Sequence, residues 1–125
     1  MHVEGMDHLV LTVQDITVTE EFYTRVLGMQ AERFGDGRHA LRCGRQKINL
    51  HPVGNAFEPK AMRPTPGSAD ICLIASGTVN ATLLHLHAMG IQVEAGPLPR
   101  TGALGPTTSV YLRDPDHNLV EIAHY

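Results

Sequence analysis

The sequence predicts an α+β fold that consists of two βαβββ modules in tandem. The first observation is an internal repeat: at an offset of 62 positions, residues 7–32 lie over residues 69–94. Both stretches have the pattern of an apolar strand, a polar turn and an amphipathic helix. The second observation is the glycine that follows each helical pattern, Gly28 and Gly90, where a helix commonly ends. The third is that short extended segments follow both helices.

The first module is predicted to open with a strand that starts at His8 and ends at Val13. Val18, Phe22 and Val26 then recur near helical spacing, which predicts a helix with this apolar side towards the sheet. Extended segments are predicted at 29–35, 38–44 and 46–53, with a hairpin turn between the last two.

The second module repeats this order with one difference. A strand is predicted at 70–75 and a helix at 78–90, and extended segments are predicted at 91–96, 108–114 and 118–125. The stretch 96–107, which is rich in Gly and Pro, is predicted to be a loop that only this module has. The whole of 1–125 is predicted to be a single domain with module one at 1–52, a proline-rich linker at 53–67 and module two at 68–125.

Polar side chains share one face of the predicted strands. Side chains alternate across a strand, so His8 lies opposite the apolar face of the first strand, and Asp70 occupies the equivalent position in the repeat. On the last strand of each module, Asn49 matches Glu121, and His51 lies one step further on the same face. If the helix-free faces of the two sheets curve towards one another, four strands each contribute one polar group to one hollow: His8, Asn49 or His51, Asp70 and Glu121. A strand carboxylate with apolar neighbours, such as Glu121, is normally paired or ligated if it is buried.

The bulk composition excludes several classes of function. The 125 residues carry a formal net charge of −3, which argues against a nucleic-acid partner. No apolar run is long enough to span a membrane, and no signal-peptide pattern opens the chain. Two cysteines, Cys43 and Cys72, are too few for a disulfide framework and predict free thiols in the cytoplasm.

Four segments resemble the vicinal-oxygen-chelate superfamily, which includes glyoxalase I, bleomycin- and fosfomycin-resistance proteins and extradiol dioxygenases. They are "DHLVLTV", "FYTRVLGM", "PGSADICLI" and "DPDHNLVEI", and the resemblance covers almost the whole chain. The run "KINLHPVGNAFEPKAMRPTPGSADICLI" is most similar to the glyoxalase-domain-containing protein 5 group of virulence-type, lactoylglutathione-lyase-like proteins. The resemblance implies that the sheets curl around a cleft.

The resemblance also implies a divalent metal ion in that cleft, with Zn, Ni, Mn, Mg or Fe as candidates. His8 matches the ligand on the first strand, and Glu121 matches the ligand on the last strand. Asp70 stands where family members usually have a second His, and Asn49 stands where glyoxalase I-like members have Glu or Gln. His51 is an alternative to Asn49. The expected metal ligands are His8, His51, Asp70 and Glu121, with Asn49 as a substrate-binding residue.

The function implied first is a lactoylglutathione lyase-like enzyme, that is, a metal-dependent lyase or isomerase of glyoxalase type. It would chelate two adjacent oxygens of a small-molecule substrate and stabilise an enediolate. Glu121 is the expected base, with His51 as the alternative, and Arg100 could bind an anionic group of the substrate.

Two other functions remain open. One is an Fe(II) ring-cleaving dioxygenase with His8, His51 and Glu121 as its ligands. The other is a non-catalytic protein that sequesters a small molecule, as bleomycin-resistance members do. Short members of the family are commonly homodimers, so a homodimer is expected. The sequence does not choose between glutathione hemithioacetals, acyl-thioesters and small hydroxyacids as substrates.

Overall fold

Both predicted βαβββ modules are present in the computed structural model, which describes residues 1–125. The element order is β1–α1–β2–β3–β4 followed by β5–α2–β6–β7–β8, and the chain divides into two units, Met1–Gly67 and Ser68–Tyr125. Each unit has one four-stranded mixed sheet that does not close into a barrel. The predicted α+β fold class is therefore confirmed.

Unit 1 is a sheet in the order β1-β4-β3-β2. Its first strand is parallel to β4, and the other neighbours are antiparallel. Asp15 caps the helix by accepting a hydrogen bond from the backbone N–H of Val18 at 3.1 Å. The elements are β1 His8–Val13, α1 Ile16–Arg25, β2 Gln30–Phe34, β3 Arg38–Cys43 and β4 Gln46–Pro52.

The core of unit 1 lies between α1 and one face of its sheet. Leu11, Leu41 and Leu50 from three strands are buried there, and Tyr23 is the largest fully buried side chain. The predicted inner side of the helix is wrong in one respect, because Val18 is 49% exposed. Thr19 and Tyr23 are buried with the predicted Val26, and these three residues share one helical stripe.

Unit 2 repeats this architecture with the order β5-β8-β7-β6. Its first and last strands, β5 and β8, are parallel neighbours, as β1 and β4 are in unit 1. Neither helix of the chain is both long and apolar enough to cross a membrane. The elements are β5 Asp70–Ile74, α2 Val79–Ala88, β6 Ala95–Gly102, β7 Gly105–Arg113 and β8 Leu119–His124.

The predicted loop at 96–107 is wrong, because this stretch forms the β6–β7 hairpin. Pro97 and Pro99 suggested a loop because proline cannot donate a backbone hydrogen bond. β6 is the edge strand of its sheet, where one side needs no ladder partner, so prolines are tolerated there. The pairing also shifts register between Ala95 and Leu98, which accommodates the first proline.

In each unit the face of the sheet opposite the helix is called the open face. In unit 1 it carries alternate side chains of all four strands, among them His8, Asn49, His51 and Arg38. In unit 2 it carries Asp70, Cys72, Tyr111 and Glu121, and Arg100 reaches it from β6. All six residues singled out as site candidates from the sequence thus lie on an open face.

Candidate functional site

His8 begins β1 and is paired with the carboxylate that precedes it. Its Nδ1 donates to Oδ1 of Asp7 at 2.7 Å, and this hydrogen bond lowers the pKa of Asp7. With the proton held on Nδ1, Nε2 keeps its lone pair and can serve as a ligand atom. A histidine that binds a metal commonly has such a carboxylate on its other ring nitrogen.

The register of unit 1 separates His8 from His51. His8 lies opposite Lys47 on the parallel β4, whereas His51 lies opposite Thr12. Four residues along a strand span about 13 Å, while a metal–imidazole bond is only about 2 Å long. The structure therefore does not bring His8 and His51 together within unit 1. This spacing argues against ligand sets that combine them, including the Fe(II) set.

His51 is instead packed against its own neighbours. Only 5% of the residue is exposed, and its ring meets that of Phe57 edge to face at 5.3 Å. Burial, together with the positive charge of Arg38, lowers the pKa of His51. The neutral ring accepts a long hydrogen bond at Nε2 from Nη2 of Arg38, at 3.4 Å. This contact engages the nitrogen that a base or a ligand would use.

The lowered pKa of His51 predicts a dependence of stability on pH. In the unfolded chain the imidazole takes up a proton near its ordinary pKa of 6.5, whereas in the fold it resists protonation. Its contribution to stability is therefore complete above pH 6.5 and is lost as the pH falls through that value. We expect the free energy of unfolding, measured in urea at pH 8 and at pH 5, to fall less in His51→Gln than in the wild type. An equal fall in both proteins would contradict this assignment.

Asn49 has an unusual environment for a side-chain amide. The residue is 3% exposed, and its Oδ1 is buried without a hydrogen-bond partner. A buried unpaired polar atom costs about 1–3 kcal/mol. A hydroxyl or amide N–H of a bound molecule would remove this cost by donating to Oδ1.

In unit 2, Glu121 lies opposite Cys72, and Asp70 lies two residues before Cys72 on the same face. Although Cys72 is an exposed residue, desolvation of its thiol and the neighbouring Glu121 carboxylate raise the pKa of Cys72 to about 11. The thiol therefore stays protonated at neutral pH and hydrogen-bonds to the carboxylate of Glu121. The fold thus brings Asp70 and Glu121 to one open face, as the strand alternation predicts.

Arg100 is the third candidate on the open face of unit 2. Its Nε donates to the hydroxyl of Tyr111 at 2.8 Å, and its Nη1 donates to the carbonyl of Pro99 at 3.0 Å. Tyr111 lies opposite Glu121 on the neighbouring strand. Arg100 is in none of the ion pairs of the structure, so its guanidinium has no carboxylate partner.

Sequence reasoning missed four residues of these faces. Asp7 and Cys72 could have been found, since Asp7 precedes His8 and Cys72 alternates with Asp70. Tyr111 also alternates correctly in its strand, but only the pairing with β8 places it beside a candidate residue. No local signal marks Arg38, because its neighbours come from distant parts of the chain.

No group of three or more His, Cys, Asp or Glu side chains in the structure lies close enough together to hold a metal ion. The donors present are therefore single groups or pairs: the imidazole of His8 on one open face, and the carboxylates of Asp70 and Glu121 on the other.

Comparisons with known proteins agree with this architecture. Residues 5–122 match the sequence model of the Glyoxalase/Bleomycin resistance protein/Dioxygenase superfamily. The chain is 51% identical over 125 residues to the glyoxalase domain-containing protein RDO1 of Mycosarcoma maydis, covering 100% of this chain and 70% of that protein. It is 52% identical to the virulence protein STM3117 of Salmonella typhimurium, covering 100% of this chain and 87% of that protein.

Solved structures extend the comparison. The crystal structure of STM3117 superimposes with a TM-score of 0.98 and covers 100% of this chain and 99% of that one. A lactoylglutathione lyase from Agrobacterium tumefaciens is only 24% identical, with a TM-score of 0.74 over 98% of this chain and 95% of that one. At that identity the likeness shows a shared fold.

Proposed function

Because the chain belongs to the glyoxalase/bleomycin resistance/dioxygenase superfamily, we propose that it is a metal-dependent lyase or isomerase of glyoxalase type. Its substrate would be a small molecule with two adjacent oxygens. The observation that carries this proposal is the contact between His8 and Asp7, which leaves Nε2 of the imidazole free to bind.

The donor chemistry of the proposed ligands fits a divalent ion. We propose His8 as a candidate ligand in unit 1 and Asp70 and Glu121 as candidate ligands in unit 2, since imidazole nitrogen and carboxylate oxygen suit borderline and hard divalent ions such as Zn²⁺, Ni²⁺ or Mn²⁺. His51 is left out of this set, because its Nε2 already accepts from Arg38. When bound, such an ion supplies a Lewis acid that draws electron density from the two substrate oxygens.

The protein groups around Glu121 suit proton transfer. The carboxylate of Glu121 accepts the proton that leaves the substrate carbon, and it can return that proton to the adjacent carbon, which completes an isomerisation. The thiol of Cys72 stays protonated beside it and leaves the carboxylate as the only basic group of this pair at neutral pH. Arg100, which Tyr111 holds at the same face, binds an anionic part of the substrate.

The main test is the metal content of the protein. Protein would be purified without added metal, incubated in turn with Zn²⁺, Ni²⁺, Mn²⁺, Mg²⁺ and Fe²⁺, desalted and analysed for bound elements. We expect about one ion per chain in the wild type and its loss in His8→Ala and Glu121→Ala. Asp7→Asn, which weakens the support of the imidazole, is expected to lower metal affinity about 10- to 100-fold.

His87→Ala is the matched control, because His87 is exposed on α2 and none of the proposed ligands belongs to that helix. Metal that is retained by His8→Ala and Glu121→Ala as well as by His87→Ala would show that the ligands are wrongly assigned. Absence of bound metal from the wild type under every condition would overturn the metal-dependent function.

A non-catalytic protein that sequesters a small molecule is the second candidate. The observation that favours it is the absence of any group of three potential metal ligands within the structure. It predicts tight stoichiometric binding of a small molecule by metal-free protein and no turnover. The metal analysis therefore separates the two candidates directly.

A further inference from the structure

A cationic cluster on the open face of unit 1 has no part in the proposed metal chemistry. We call it the Arg38 cluster. It consists of Arg38, Lys47, Phe34, Phe57, His51 and Asn49.

The guanidinium of Arg38 lies between two aromatic rings. Its Cζ is 4.9 Å from the ring centroid of Phe34 and 4.8 Å from that of Phe57. Nη2 donates to the neutral His51, whereas Nε is buried and has no partner. The planar group is thus held in place with a donor left unused, in the way that suits recognition of a flat anion.

A second cation contacts the same ring. Nζ of Lys47 lies 3.6 Å from the ring centroid of Phe34. Neither Lys47 nor Arg38 forms an ion pair in the structure. Two cations that share one ring repel each other, and a bound anion would replace this repulsion with attraction.

Three other arginines of the sheets do have carboxylate partners. Arg33 pairs with Glu20 at 2.9 Å, Arg42 pairs with Glu32 at 2.9 Å, and the Arg113–Glu94 pair is 3.1 Å long. Arg38 is on the same strand as Arg42, yet it faces two rings and a neutral imidazole. The fold therefore neutralises neighbouring arginines and leaves this one available for a ligand.

Asn49 adds a second contact beside the guanidinium. Asn49 on β4 lies opposite Ala40 on β3, and Arg38 is two residues before Ala40. Arg38 and Asn49 are therefore diagonal neighbours on one face, and residues so placed are about 7–8 Å apart. The unpartnered Oδ1 of Asn49 accepts hydrogen bonds and so selects a donor rather than a second anion.

From this geometry we propose that the Arg38 cluster binds a small 2-hydroxy acid. The carboxylate accepts a hydrogen bond from Nε of Arg38 and is attracted by the positive charge of Lys47, while the hydroxyl donates to Oδ1 of Asn49. The ring of Phe57, which is 40% exposed, covers an apolar substituent of the acid. The site needs no metal, so it stands whether or not the proposed enzymatic function holds.

The test uses mandelate, a 2-hydroxy acid with an aromatic substituent, and calorimetric titration of the full chain in EDTA. The uncharged mandelamide has nearly the same shape, and phenylacetate lacks only the hydroxyl. We expect mandelate to bind and mandelamide to bind at least about tenfold more weakly, since a charge-assisted hydrogen bond from arginine needs the ionised carboxylate. Phenylacetate is expected to fall between them, because it leaves Asn49 unpaired.

Variants locate the binding. Arg38→Gln is expected to weaken mandelate binding at least about tenfold, and Arg45→Gln, in the exposed turn after β3, is expected to leave it unchanged. Lys47→Gln keeps the guanidinium in place and guards against a folding defect in Arg38→Gln. It is expected to weaken binding about threefold or more, since it removes one attractive charge. Equal binding of mandelate and mandelamide, no binding of mandelate, or unchanged affinity in both Arg38→Gln and Lys47→Gln would overturn the proposal.

Discussion

Replacing Asp114 with alanine is expected to lower the free energy of unfolding by about 3 kcal/mol. The residue is buried at the turn between β7 and β8. Its Oδ1 accepts from the backbone N–H groups of Asp116 and Asn118 at 2.9 Å each, and its Oδ2 accepts from Nδ2 of Asn118 at 2.8 Å. Alanine would leave these three donors unpaired in a largely buried place, where hydrogen bonds to a charged acceptor contribute most.

This turn also places two candidate site residues. Oδ1 of Asn118 accepts from the backbone N–H of Ala69 at 2.8 Å, which fixes the start of β5 beside the start of β8. Asp70 is the first residue of β5, and Glu121 is the third residue of β8. Asp114→Ala is therefore expected to loosen the spacing of the two carboxylates as well as the fold.

Urea denaturation followed by circular dichroism measures the effect. Asp36→Ala is the matched control, because it removes an exposed aspartate from another turn, and a change within about 0.5 kcal/mol is expected there. Asp114→Asn keeps the shape but loses the charge and one acceptor, so its stability is expected to lie between those of the wild type and Asp114→Ala. A loss in Asp114→Ala no larger than in Asp36→Ala would contradict the role assigned to the turn.

The element order was predictable because its signals are local. The apolar strand that ends at Val13, the helical spacing and the glycines after both helices each depend on a few adjacent residues. The same locality explains the failure at 96–107, since prolines alone do not reveal whether a strand lies at the edge of a sheet. The alternation of side chains was equally local, and it placed Asp70 and Glu121 on one face correctly.

The relation between distant strands was not predictable in the same way. The register of β1 against β4 places His8 opposite Lys47 and so separates His8 from His51. This register depends on how the two strands pair in three dimensions. The environment of Arg38 also depends on Phe57, which lies beyond the end of β4. Charge and residue type were enough to identify single polar residues in the sequence. Which of these residues lie close together could be known only from the register of the sheets.

Replacing Gly96 with alanine is expected to destabilise the chain still more, by about 3–4 kcal/mol. A Cβ at this position would lie 2.5 Å from the carbonyl oxygen of Ser109 and 2.9 Å from Cα of Val110. These are backbone atoms of β7, which is paired on both sides and cannot move aside alone. The φ of +102° adds strain for any side chain. Because Gly96 is the second residue of the strand that carries Arg100, the variant is also expected to displace that guanidinium from Tyr111.

Gly105→Ala separates the two causes of this loss. Gly105 has a φ of +131°, but a Cβ there would meet nothing within 4 Å. Only backbone strain applies, so a loss of about 1–2 kcal/mol is expected. The difference between the two variants, measured by urea denaturation under the same conditions, reports the steric contact with β7. If both variants lose the same free energy of unfolding, Gly96 does not lie as close to the backbone of β7 as the structure shows.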